Sequence, residues 1–533
     1  MNGREQKTYK SPLKKLVRFF ERSRDQWKAK CLEAKATAKG LKHRVRYLEE
    51  SKEEWKTKAK QLEQELARRS SQQNPPQGLE DEKKKPPDFP QSPLCLESFE
   101  QTLPYHTYSV GHIWLFITLV LSAVASFRGA SRTIASVLSL IGPALPRPSW
   151  YAGRLWMLRI GYYKLTRPKT KASDWVWIVD HTVQLGVEKC LLILGVRLSD
   201  LSRTDLVLSH EDVEPIALFP VTSSNGDVVF QQLEETIDKT GLPREILGDR
   251  GSDLTAGIER FCHKHPQTCS IYDIKHKCAA SLKHILQHDA HWQAFTQQAA
   301  QSKSQIQQTA LAFLAPPNQR TKARYMNLGV LVRWGQRALG VLDRLEKRTD
   351  HRDSHEKLKA KLGWLSQFRD HLKEWEALLD VTITTECFVR THGLCQGGEV
   401  ELSKRLDHCI ASPKVIQLRE QLLAFVKNES LKAKPDERLL GSSEIIESVL
   451  GKLKRLEQNQ AKSGFTALVL SVAAVVSETT REVVQKAMET VPTKKVLEWS
   501  RLHLGQSVQA KRKIALSNTK NTEQIWDQLF DEL

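Results

Sequence analysis

The sequence predicts an α/β core, a mixed five-stranded sheet with helices. An all-α region interrupts this core, and further helices and a coiled coil precede it. Three observations support the prediction. Short apolar runs between residues 175 and 272 alternate with helical patterns. Residues 291–438 carry mostly helical periodicity, rich in Gln, Lys, Arg and Leu. Residues 27–66 keep an unbroken heptad.

The chain has 533 residues, enough for two to four domains, with 40% hydrophobic and 27% charged residues. The net charge of +19 suits a polyanionic partner, of which nucleic acid is the commonest. Residues 1–69 hold 21 Lys and Arg against 10 Asp and Glu. Nine cysteines with no CxxC pair fit a reducing cytosol. The basic N-terminus leads into no apolar h-region, so no signal peptide is expected.

In chain order, residues 1–69 are a basic arm and coiled coil. The seam runs from Trp27 through Cys31, Leu41, Val45, Lys52 and Trp55 to Leu66. A single long solvated helix is the alternative, because Ala, Cys and Lys make a thin seam. Residues 70–98, full of Pro and charge, form a linker. Residues 99–170 read as three helices. The first is "IWLFITLVLSAVASF", Ile113–Phe127, whose 15 residues fall short of the roughly 20 that span a bilayer. It is expected as a core helix, so no membrane is expected as a partner. The second is Gly129–Gly142 and the third Pro148–Tyr163, which carries Arg154 and Arg159. Short helices joined by a tight turn, the last one basic, suit a helix-turn-helix that binds DNA phosphates. A plain bundle is the alternative.

The core's first part is residues 171–290. Strands are expected at Trp175–Val179, Cys190–Val196, Pro215–Pro220, Arg244–Leu247 and Cys269–Tyr272. Helices are expected at Asp227–Lys239, Asp253–His263 and from Lys275 onward. Residues 291–438 are the helical insertion, with a β-like island at Asp380–Val389. Residues 439–505 return to the core as helices, and 506–533 are a tail.

Two aspartates stand where strands end: Asp180 after "WVWIV", and Asp249 in "ILGDRGSD". Sites in sheets with parallel neighbours form at the carboxyl ends of strands. Paired carboxylates repel unless a cation lies between them, and Mg²⁺ takes hard oxygen ligands. A third acid is available on the helix "SEIIESVLGKLKR": Glu447, with Lys454 seven residues on and on the same face. Glu444 and Glu386 are reserves for that third position. Aspartates also close turns and cap helices, and Asp253 is expected as such an N-cap.

The strand ending at Asp180, the "GDRGSD" turn and the helical glutamate resemble the DDE transposases. "YDIKH" adds the family's Asp-x-x-His string as Asp273 and His276. The resemblance implies an RNase H-like fold of the bacterial insertion-sequence type, with a helical insertion before the third acid. It implies that Asp180, Asp249 and Glu447 are catalytic and hold two Mg²⁺ or Mn²⁺ ions. Asp273 and His276 would brace the site, and Lys454, Arg154 and Arg159 would contact DNA phosphates. It implies cleavage of DNA at element ends and joining to target DNA by a homodimer or higher oligomer, in the bacterial cytoplasm on the nucleoid. The lysine seven residues after the glutamate matches some members. The tyrosine and arginine those members carry upstream are replaced by Leu440 and Ser443. A DNA-binding protein that has lost catalysis, and a nuclease without integration activity, are the alternative functions.

His181 is expected as a structural neighbour. Zinc at Cys262, His265, Cys269, His276, Cys278 and His284 is not expected, because the spacings fit no zinc module.

Overall fold

The apolar runs of the core pair into a single five-stranded sheet of order β3-β2-β1-β4-β5. The strands are β1 (Trp175–Val183), β2 (Lys189–Arg197), β3 (Glu214–Val221), β4 (Glu245–Gly248) and β5 (Cys269–Tyr272). β1, β2 and β3 pair antiparallel, and β4 and β5 add in parallel beside β1. The computed structural model describes residues 102–141, 146–183, 189–201, 205–319, 325, 328–346, 352–407, 412–458 and 466–504. The heptad at 27–66, the linker and the tail from 506 lie outside the described residues.

Both faces of the sheet are covered, which is why its strands read as continuous apolar runs. One face presents Trp177, Val179, Leu191, Ile193 and Ile246. Its cover comes from two helices of the crossover connections, Gly226–Thr240 and Ser252–Lys264, through Val229, Leu233, Leu254, Ile258 and Phe261. The other face presents Val176, Ile178, Leu192, Leu194, Leu247 and Ile271, and it belongs to the main core.

In chain order the helices begin with α1 (Val110–Leu121), α2 (Phe127–Ile141) and α3 (Trp150–Thr166). The apolar run expected as one helix is split between the first two, since α1 stops at Leu121 and Phe127 opens α2. No described helix is long and apolar enough to cross a membrane. The crossover helices are α4 (Gly226–Thr240) and α5 (Ser252–Lys264), and α6 (Ile274–Leu286) follows β5. The all-α region comprises α7 (Ala290–Ile306), α8 (Leu328–Glu346), α9 (Arg352–Leu362), α10 (Arg369–His392), α11 (Gly398–Arg405) and α12 (Pro413–Ser430). Trp292, Phe295, Phe368 and Trp375 form its aromatic centre, with Trp292 and Trp375 edge to face at 4.9 Å. The chain returns through α13 (Glu444–Gln458), α14 (Ser471–Val475), α15 (Arg481–Thr490) and α16 (Thr493–Leu504).

Two expectations are corrected. The β-like island Asp380–Val389 is the second half of α10. Its β-branched residues bury Val381, Thr382, Thr385, Phe388 and Val389, a helical spacing. The buried hydroxyls of Thr382 and Thr385 donate back to the carbonyls of Leu379 and Val381. The helix-turn-helix expectation is narrowed for α3. It buries Trp156, Met157, Leu158, Arg159, Ile160, Gly161, Lys164 and Leu165, residues on every side of the helix. From Trp156 onward α3 is packed all round and has no long face left to lay in a DNA groove, and only its first turn, with Trp150 and Tyr151, is open. At Gly161 a Cβ would stand 2.0 Å from the Leu470 carbonyl oxygen, so glycine permits the close approach of the chain before α14.

Candidate active site

Sheet register sets the first two acids. Val179 pairs with Gly248 in the parallel β1–β4 ladder, and Asp180 and Asp249 are the next residues on their strands. Asp180 does not end its strand as expected; β1 continues to Val183 in its pairing with β2. The partner β4 stops at Gly248, so Asp180 sits where one neighbour runs out. Alternation puts Asp180 on the face of Val176 and Ile178, and Asp249 on the face of Leu247, which is the same face. Asp180 Oδ1 accepts from the His181 amide at 2.7 Å, and Asp249 Oδ1 accepts from the Gly251 amide at 3.0 Å. Burial pushes the Asp180 carboxyl up to about 7. The charges of Asp249 and Glu447 push the same way, against the His181 amide and the nearby His276.

The third acid is placed by a short segment, residues 439–443. Leu394 and Leu439 form a β-bridge. The Ile274 amide donates to the Gly441 carbonyl at 2.9 Å. A Cβ on Gly441 would fall 2.2 Å from Val389 Cγ1. Two buried acids complete the clamp. Glu245 Oε2 accepts from the Leu440 amide at 3.0 Å, and Asp273 Oδ2 accepts from the amide and hydroxyl of Ser443 at 2.6 and 2.9 Å. α13 starts one residue later and carries Glu447 in its first turn, where the helix dipole favours an anion. Asp273 Oδ1 also accepts from His276, from the amide at 2.8 Å and from Nδ1 at 2.9 Å. Burial alone would raise Asp273, yet these hydrogen bonds hold it below the usual carboxylate range. The same pairing raises His276 in spite of its burial, with Asp249 and Glu447 contributing. The Asp-x-x-His string thus caps α6 and anchors the approach to α13.

Lys275 was missed in the sequence. Its Nζ lies 2.6 Å from Glu447 Oε2, and the carboxylate raises the ammonium against a lowering by burial. Nothing local signals this contact, because the partners are 172 residues apart. Of the reserves, Glu444 is exposed and pairs with Arg390 at 3.0 Å. Glu386, on α10, is pushed up to about 7 by burial and lies within the field of Lys275 and Asp273. Among the described residues, no three His, Cys, Asp or Glu side chains lie close enough to hold a metal ion as they stand. Glu447 is instead paired with Lys275. The donors themselves suit a hard divalent cation: Asp180 and Asp249 are adjacent, partly buried carboxylates, and Asp180 resists ionising without a nearby positive charge.

The remaining expected residues divide. His181 points to the opposite sheet face, 3.5 Å from Asp253 Oδ2. Asp253 does not cap α5; Gly251 holds that position, and Asp253 pairs with Lys189 at 2.6 Å. Arg159, expected at a DNA phosphate, is turned inward: its guanidinium is buried and donates to the carbonyls of Val491, at 2.6 Å, and Met488. Arg154 is half-buried and Lys454 is exposed on α13. Within the Cys/His-rich segment, His265 pairs with Glu234 and Cys269 lies against Arg244, while the cysteines remain free thiols.

Comparison with known proteins adds one structural likeness. The chain is similar to the Drosophila P element transposase strand transfer complex. Identity is 12%, the TM-score is 0.33, and the match covers 71% of this chain and 94% of that chain. No family model and no curated protein matches it.

Proposed function

We propose that the chain is a DDE transposase with an RNase H-like core, which cleaves DNA at the ends of a mobile element and joins the freed 3′-hydroxyl to target DNA. The observation that carries this is the placement of Asp180 and Asp249 side by side on the two central parallel strands, with the charge of Glu447 bearing on them. Asp180, Asp249 and Glu447 would hold two Mg²⁺ or Mn²⁺ ions. Bound there, such ions lower the pKa of a water and stabilise charge on the leaving oxygen. The chain's own residues do the rest. Asp273 and Glu245 fix the segment that launches α13, and so the position of Glu447. His276 and Lys275 balance the acids before metal binds. Lys454, exposed and two turns beyond Glu447, would contact a phosphate.

The partners are element-end and target DNA. Holding two ends calls for a homodimer or higher oligomer, and the heptad at 27–66 offers a seam. Deletion of residues 1–69 should then lower self-association in sedimentation and leave divalent-dependent nicking of DNA in place.

A second reading is a DNA-binding protein of this fold without catalysis. The Lys275–Glu447 pair and the lack of a ready ligand cluster favour it. Divalent-dependent nicking, abolished in Asp180→Ala with DNA binding retained, supports the transposase. No nicking by the wild type with any divalent ion supports the second reading. A strand-transfer assay with a pre-cut end separates transposase from nuclease.

A further inference from the structure

Between Glu100 and Asp174 the chain has nine Lys and Arg and no Asp or Glu. With 62 acids in 533 residues, about eight would be expected in that stretch of 73. Four of the nine cations are used internally. Arg159 serves the carbonyls of Val491 and Met488, Lys164 those of Val476 and Ser477, and Arg167 and Lys169 pair with Glu214. Four others gather around the start of α3, and among the described residues no carboxylate pairs with any of them.

Their arrangement is built. Ser131 on α2 donates to the Pro148 carbonyl at 2.7 Å, and the Tyr108 hydroxyl donates to the Arg147 carbonyl at 3.1 Å. These bonds hold the end of the α2–α3 connection against α2 and the segment before α1. Trp150 and Tyr151 then emerge side by side, 43% and 50% exposed, with rings edge to face at 5.8 Å. The Arg128 guanidinium lies 5.4 Å above the Trp150 ring. Arg132 stands one turn along α2 from Arg128, Arg147 is exposed in the connection, and Arg154 follows one turn along α3 from Trp150.

Exposed indole and phenol rings interleaved with unpaired guanidinium groups are the composition of a stacking platform for nucleic acid. Inside a duplex the faces of the bases are covered by their neighbours, so a surface ring stacks best on a base that is unpaired at an end. We propose that Arg128, Arg132, Arg147 and Arg154 hold the phosphates of a DNA strand while Trp150 and Tyr151 stack against an unpaired base at its end. The assignment rests on the DNA chemistry proposed above and adds a surface that shares no residue with the acids.

The full chain tests it. Anisotropy would be measured on a labelled DNA duplex, blunt or with a short 3′ overhang, across a salt series, alongside nicking with Mg²⁺. Arg128→Ala/Arg132→Ala should lower the slope of log affinity against log salt by about 1.8, since each lost phosphate contact removes about 0.9. Arg128→Lys/Arg132→Lys should restore it. Trp150→Ala/Tyr151→Ala should weaken binding of the overhang DNA about 5- to 100-fold and leave blunt duplex unchanged. Thermal melts of the variants should match the wild type, because all four side chains are on the surface. An unchanged salt slope, an equal loss on blunt and overhang DNA, or a preference for an RNA overhang overturns the proposal. Nicking by a wild type whose surface variants bind normally sinks this surface and leaves the proposed function standing. The expected binding changes in a wild type that never nicks would sink the function and leave the surface.

Discussion

Asp273→Asn is the sharpest probe of how Glu447 is positioned. The side chain is 1% exposed and accepts four hydrogen bonds, two from His276 and two from Ser443. An asparagine of the same shape turns one acceptor oxygen into a donor amide. Whichever way the amide is flipped, one backbone amide, that of His276 or that of Ser443, then meets a donor, while the His276 ring or the Ser443 hydroxyl can turn to accept. A buried hydrogen bond to a charged group contributes about 1.5–3 kcal/mol, so the loss of one costs at least that much. The loss should be local, since strands β1 and β2 do not touch this carboxylate. Hydrogen exchange of the full chain is the assay. At about 1.4 kcal/mol per decade, amides in residues 439–447 should exchange about 10- to 100-fold faster or more, with β1 and β2 unchanged. pH gives a second check. Asp273 is depressed, so its contribution is complete above about pH 4 and is lost as pH falls through its folded value. His276 is raised, so its contribution is complete below about pH 6.5 and is lost as pH rises through its folded value. Protection of 439–447 in the wild type should therefore be greatest between those limits. Unchanged exchange in the variant, or uniform loss across the sheet, would refute the account of Asp273 as the anchor of α13.

Asp180→Asn should raise the melting temperature of metal-free protein at pH 8 by about 2 °C or more, because burial and the Asp249 charge penalise the ionised form. The sign follows from a carboxyl pushed up to about 7: the wild type loses stability as pH rises from about 4 to 7, so the gain should vanish near pH 4. Lys275→Met should cost about 0.2–1 kcal/mol, the range of a partly exposed pair, and should tighten Mn²⁺ binding measured by calorimetry; weaker binding would count against Lys275 as a competitor for Glu447. Gly161→Ala should lower the melting temperature through a cost of about 1–3 kcal/mol or more, because the added carbon meets a backbone carbonyl that cannot swing aside, and an unchanged melt would contradict the packing of α3 on the chain before α14.

The core was legible because burial on both faces writes itself into each strand as an uninterrupted apolar run. All five strands fall within a few residues of their expected bounds. Asp180 and Asp249 were legible for a related reason, since a carboxylate at the edge of such a run has no packing role. What the sequence hid depends on distance or on competing propensity. The β-branched cluster of α10 reads as strand locally, and only its burial at helical spacing shows otherwise. Arg154 and Arg159 look alike on one helix, yet Arg159 is consumed by carbonyls more than 320 residues away. Lys275 sits inside the motif that drew attention to Asp273 and His276, and its partner arrives from the far side of the helical insertion.

The charge arrangement at the site has a consequence for how the fold tolerates it. Three acids gather beside the central strands, and among the described residues two of them, Asp180 and Asp249, have no lysine or arginine partner in contact. A cluster of that kind opposes folding unless positive charge is supplied. The chain supplies part of it from one turn of α6, His276 toward the aspartates and Lys275 onto Glu447. Both come from the helix that Asp273 caps, and Asp273 also holds the segment before α13. One buried carboxylate therefore fixes the counter-charges and the third acid together. Anything that draws Lys275 away leaves Glu447 facing the aspartates with its charge uncompensated, and that is the state a divalent cation would bind best.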